Sequence, residues 1–243
     1  MTNELNNYRT ALAKKIISTP KQDRRDLLNQ EQADEQYWQA RQQLAGTRQV
    51  ETEIDGGLGV LLDKRFLYHG SPVDNISLFN EAEETTIGTG VYLTSQADIA
   101  IGYARLRTNH RKGKSPVIYE VEVNNIKILD LRKKSNVDEI LSGFKLYLAD
   151  LHNSPNQPRR PSWQMAIRRA INTIESHTVN SGNLRKVTFN TSPYFSEYIQ
   201  SLGYDGLVAF EGGEGDTVGD HDSYVIFNPA NIRVNRKHIL SQK

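Results

Sequence analysis

The chain has 243 residues, 37% of them hydrophobic and 24% charged, with a formal net charge of +1. This composition excludes wholesale disorder, and the near-zero charge sets up no global field toward nucleic acid or membrane. There are no cysteines, which excludes disulfides, thiolate nucleophiles and thiolate metal sites.

The opening residues, "MTNELNNYRTALAKK", lack the apolar core of a secretory signal, and no apolar run approaches the ~20 residues of a membrane-spanning helix. A soluble protein, cytoplasmic or delivered into a target cell, is therefore expected. A short helix is expected over Tyr8 to Ile17, ended by Pro20. From Arg24 to Gln49 the chain is rich in Gln, Glu, Asp, Ala and Arg. Leu27, Leu28, Ala33, Tyr37, Trp38 and Leu44 form a sparse apolar stripe at roughly helical spacing. "DGGLG" (Asp55 to Gly59) is a turn signal. Together these divide the chain into an N-terminal helical segment, 1–60, and a main domain, 61–243.

From Phe66 the pattern becomes one of short β-runs: "RFLYHG", "GVYLT", "PVIYEVEV", "IKILDL", "GLVAF" and "SYVIFNP". Each is β-branched or aromatic and bounded by turn-forming residues. Three helices are expected between them. One is capped by Ser95 with Asp98 in its first turn, one runs from Ser162 to about Ser176, and one follows Ser192-Pro193 and ends at Gly203. The irregular spacing argues for α+β rather than a doubly wound sheet. No zinc-hydrolase HExxH motif or Gly-Lys-Ser/Thr phosphate loop occurs, and no metal site is expected.

Two local features carry chemistry. His69-Gly70 ends an apolar strand, where a glycine lets a ligand approach the backbone. Tyr92 ends a second strand that leads into a helix bearing Tyr103, so two rings from adjacent elements could close on a flat ligand. Taken singly, each is better read as structural, a histidine before a turn and a pair of core tyrosines. Two basic clusters, Arg105 to Lys114 and Arg159 to Arg169, are solvated helix ends or contacts for a phosphate-rich partner.

The ordered set "HGS", "GTGVYLTS", "ADIAIGYA" and "SYVIFNPANIRV" resembles the ADP-ribosyltransferase superfamily. It is closest to the His-Tyr-Glu branch of diphtheria toxin and the poly(ADP-ribose) polymerases. "GYDGLVAFEG" with "SYVIFNP" also looks like the closing strands of small bacterial and phage-type members. The resemblance spans about Phe66 to Val234. It implies an α+β fold with a split two-sheet core around a cleft for NAD+, the expected cofactor and substrate. By the same resemblance His69 would bind the hydroxyl of the adenine-side ribose, Gly70 the nicotinamide carboxamide, and Ser71 that amide or the ribose. Tyr92 and Tyr103 would hold the nicotinamide ring.

The third motif departs from the pattern, because Ser223 stands where the branch carries Glu. A hydroxyl can orient a ribose but supplies no charge for the developing oxocarbenium ion. Asp222 is adjacent, yet neighbours on a strand face opposite ways, so it would need a bulge to enter the cleft. Glu211 or Glu214, in the run "EGGEGDTVGDHD", could supply the carboxylate instead. That acidic run is a solvated loop or a contact for the molecule to be modified. The expected activity is mono-ADP-ribosyl transfer to a macromolecular acceptor, with protein favoured over nucleic acid by the net charge. The alternatives are a catalytically weak NAD+-binding or target-binding module and an NAD+ glycohydrolase.

Overall fold

The structure, a computed structural model, describes residues 50–79, 86–110, 115–154, 161–176, 178–212 and 218–240. The helices expected before residue 49 lie outside these, as does Glu214. The described residues form a mixed α+β fold with one large, mostly antiparallel sheet and five α-helices. The strands are β1 (Val50–Ile54), β2 (Gly59–Asp63), β3 (Arg65–Ser71), β4 (Val91–Thr94), β5 (Val117–Val123), β6 (Ile126–Asp130), β7 (Gly206–Glu211), β8 (His221–Ile226) and β9 (Ile232–Ile239). The helices are α1 (Ala97–His110), α2 (Lys134–Asn153), α3 (Pro161–Glu175), α4 (Arg185–Thr188) and α5 (Ser192–Ser201).

Strand order is β1-β2-β6-β7-β8-β4-β3-β5-β9, and β6–β7 is the parallel pair. The resemblance leads one to expect two sheets, whereas the hydrogen bonding joins all nine strands into one. Its thinnest point is β3–β4, where the register comes down to the single pair Tyr68↔Thr94.

The period-two alternation of side chains explains the layers. On β5, Val117, Tyr119, Val121 and Val123 share a buried cluster with Val60, Leu62, Ile128, Val208, Tyr224 and Ile226 from the other half of the sheet. The two halves thus pack face to face. Ile118, on the opposite face of β5, packs with Tyr68, Ala97, Ala100 and Ala104 beneath α1. Leu129, Leu207, Ala209 and Val225 pack against α2 to α5 on the outer face of the first half.

The strand expectations from β3 to β8 hold, as do α3 and α5. Gly203 ends α5 with a φ of 85°, a left-handed position open to glycine, and the Tyr204 amide donates back to the Ile199 carbonyl at 3.4 Å. Ser95 is not the cap of α1. The Thr94 hydroxyl accepts from the Gln96 amide at 3.2 Å, and the helix begins at Ala97.

The expected boundary at residue 60 cuts through the sheet. β1 pairs along its length with β2, and both begin before residue 61. β1 also carries Glu51, which holds a charged network across the sheet. Its carboxylate meets Arg65 at 2.6 Å and Arg132 at 3.0 Å and accepts from the Tyr224 hydroxyl at 2.8 Å. Arg132 also pairs with Asp130 at 2.8 Å. Burial pushes the Glu51 carboxyl up, but Arg65, Tyr224 and Arg132 outweigh it and hold it below its ordinary value.

A depressed carboxyl stabilises the fold above its unfolded pKa, and that stability is lost as pH falls through the folded value. Glu51→Gln is therefore expected to cost about 2–3 kcal/mol at neutral pH, allowing for partial exposure. The gap to the unsubstituted protein should close as pH falls below about 4. Urea titrations of both proteins across that range check it. A deficit that does not change with pH would remove the network from the account.

Candidate active site

Beyond Tyr68↔Thr94 the strands β3 and β4 part, and a cavity of about 560 Å³ opens at the parting. Its volume falls in the ~300–1,000 Å³ range of small-molecule sites. His69, Gly70, Ser71, Tyr92, Tyr103 and Ser223 all line it, so residues far apart in sequence converge on one place. Asp222 is absent from the lining.

Where a ladder ends, backbone groups need other partners. The carbonyl of Tyr92 meets His69 Nδ1 at 2.9 Å. A carbonyl only accepts, so Nδ1 carries the proton and Nε2 of the neutral ring is an acceptor. Burial pushes the imidazole below its ordinary pKa despite that hydrogen bond, and the charge of Arg107 acts in the same direction. The ring is therefore neutral at pH 7.

Gly70 has a reason other than ligand approach. A Cβ there would lie 1.9 Å from the Ala100 carbonyl oxygen and 2.8 Å from the Ala104 nitrogen. The glycine lets α1 lie directly on β3, which carries Tyr103 to the rim of the cavity.

Tyr92 is held at its far end. Its hydroxyl receives the amides of Thr86, Ile87 and Gly88 at 3.1, 2.8 and 3.2 Å and donates to the Gly88 carbonyl at 3.0 Å. Burial raises its pKa despite these amides. Tyr103 packs edge-on against His221, with centroids 5.6 Å apart and planes at 74°. Arg107 on α1 and Arg185 at the start of α4 also line the cavity. The turn before α4 is fixed by reciprocal bonds between Asn180 and Asn183, and Ser181 Oγ accepts from the Phe210 amide at 2.7 Å. The rest of the first basic cluster, 111–114, and the start of the second, 159–160, lie outside the described residues.

The alternation of β8 separates two neighbours. Asp222 faces the charged network and lies 3.3 Å from Arg132, while Ser223 faces the cavity, opposite Thr94 and Ala209. β8 pairs with β4 and β7 in continuous register, so no bulge turns Asp222 inward, and the entry into the cleft that a catalytic Asp222 would need does not occur. Among the described residues the carboxylate that lines the cavity is Glu211, at the end of β7. Its Oε2 accepts from the Ser223 hydroxyl, and its Oε1 accepts from Thr86 Oγ1 at 2.8 Å.

His221, two residues before Ser223 on the same face, places Nε2 3.1 Å from Ser223 Oγ. His221 went unnoticed in the sequence, although period-two spacing from Ser223 would have found it. Among the described residues no group of three or more His, Asp and Glu could hold a metal ion. No described helix is long and apolar enough to cross a membrane.

No family model matches the chain. No curated protein matches it either. Among solved structures, a chain of the M. tuberculosis MbcT–MbcA toxin–antitoxin complex is similar, with a TM-score of 0.44 and 9% identity. The match covers 76% of this chain and 89% of that one. A likeness of that degree carries no inference about chemistry.

Tyr92→Phe keeps the ring and strands the three amides of residues 86–88. It is expected to cost about 1–3 kcal/mol of stability. Hydrogen exchange should show those amides losing protection while the amides of β5 keep theirs. Unchanged protection at 86–88 would mean that the hydroxyl does not hold the loop.

Proposed function

We propose that the protein cleaves the nicotinamide–ribose bond of NAD+ and transfers ADP-ribose to a macromolecular acceptor. The observation that carries this reading is the Glu211 carboxylate, gripped by Thr86 and Ser223 in the cavity that His69 and Tyr92 also line. The charge that Ser223 lacks is supplied from the next strand, with Ser223 as its holder. The neutral His69 offers Nε2 to a ribose hydroxyl. Tyr92 and Tyr103 offer ring surface for nicotinamide, and Arg107 and Arg185 are complementary to a pyrophosphate.

In the reaction the C1′–N bond breaks with its electron pair passing to the nicotinamide nitrogen. The ribose becomes cationic, and the fixed Glu211 carboxylate opposes that charge in a partly dry site. The acceptor then forms the new bond at C1′ and gives up its proton. With water as acceptor the same steps amount to NAD+ hydrolysis.

The test is incubation with labelled NAD+, measuring nicotinamide release and label on protein. Glu211→Gln should lower release about 10²–10³-fold, the cost of one pre-organised electrostatic partner. Asp222→Asn should leave it nearly unchanged. Ser223→Glu would set a second carboxylate against Glu211, raising the pKa of one of them, and should lower release too. Release without protein label would make the protein a glycohydrolase. NAD+ binding without release would make it a binding module.

A further inference from the structure

His221 has no part in bond cleavage as described, yet it is buried, 2% exposed, against the residue that holds the key carboxylate. Its Nδ1 meets the Gly219 carbonyl at 2.7 Å and therefore carries a proton. In the neutral ring Nε2 is then bare. It sits 3.1 Å from Ser223 Oγ, 3.5 Å from the Tyr103 hydroxyl and 3.9 Å from Glu211 Oε2. Ser223 has one hydroxyl proton and two acceptors within reach, Glu211 Oε2 and His221 Nε2. At rest the proton points to the carboxylate. A turn about the Cβ–Oγ bond sends it to the imidazole.

We propose that His221, acting through the Ser223 hydroxyl, takes up the proton the acceptor must lose. This rests on the reading of the cavity as an NAD+ site. As the acceptor's X–H bond breaks and its lone pair forms the bond to C1′, the proton passes to Ser223 Oγ. The hydroxyl's own proton passes to His221 Nε2. The serine ends as a hydroxyl, the histidine as an imidazolium, and nicotinamide leaves with the electron pair of the broken bond. The imidazolium is held on one side by the Gly219 carbonyl and on the other by the negative charge of Glu211. It later returns its proton to solvent.

Two measurements test the relay. In the full-length protein, heteronuclear NMR of the imidazole nitrogens should find His221 protonated at Nδ1 and bare at Nε2 when neutral. A ring protonated at Nε2 overturns the proposal whatever the activity. In steady-state transfer assays with labelled NAD+, His221→Gln should lower kcat about 10²-fold, and Ser223→Ala, which also releases Glu211, at least as much. KM for NAD+ should stay within about threefold of the unsubstituted value, and the double variant should fall no further than Ser223→Ala. Losses that multiply in the double variant overturn the relay. So does an undiminished kcat in His221→Gln while the unsubstituted protein turns over, and in that case the NAD+ reading stands. An unsubstituted protein that releases no nicotinamide overturns both.

Discussion

The site depends on the place where β3 and β4 stop being paired. A sheet that continued there would satisfy its backbone internally and leave no cavity. One residue pair joins the hydrogen-bond ladders of the two halves, and the next carbonyl, that of Tyr92, is taken by an imidazole. That contact sets the tautomer of His69 and fixes which nitrogen it shows a ligand. The same strand sends the Tyr92 side chain to gather the loop of residues 86–88, and Thr86 of that loop grips Glu211. The opening in the sheet and the orientation of the carboxylate thus follow from a short chain of contacts.

Strand β8 keeps the charged network and the cavity apart by its pleat alone. Asp222 and Tyr224 turn toward Glu51, Arg65 and Arg132, a network that ties β1, β3, β6 and β8. His221 and Ser223 turn toward the cavity. Carboxylates are present on both faces, but one set is matched by arginines and the other, Glu211, is held by hydroxyls. Hydroxyls orient a carboxylate without neutralising it, so its charge stays available to a cationic ligand.

Much of this was legible in the sequence, and the losses have physical causes. His69, Tyr92 and Ser223 stand out through motifs on short β-runs and their resemblance to a known family, and all three line the cavity. The period-two alternation of a strand foretold that Asp222 would turn away. Glu211 was harder to place, since it opens a Gly- and Asp-rich run that reads as loop, whereas β7 extends just far enough to include it. Helix α2 was missed although Val137, Ile140, Leu141, Phe144 and Leu148 mark one buried face. Ser142-Gly143 reads as a break, but the glycine is there for packing: a Cβ would lie 2.0 Å from the Tyr198 hydroxyl. Strands β1, β2 and β9 were missed: β1 and β9 because edge strands carry charge and show little apolar alternation, and β2 because it starts inside the "DGGLG" run read as a boundary.

Gly70 has a consequence for the cleft as a measuring device. Helix α1 rests on β3 backbone to backbone, and the Ala100 carbonyl occupies the space a side chain would fill. Two main chains in contact cannot be brought closer, so the strand–helix separation stands at its lower limit. Tyr103 rides on that helix, and its distance from the strand side of the cavity is therefore bounded from below by the backbone, not by a choice of side chains. Variation at position 70 can only lift the helix and widen the gap. The aperture works as a calliper closed to its stop, with its narrowest setting written into the one residue that has no side chain.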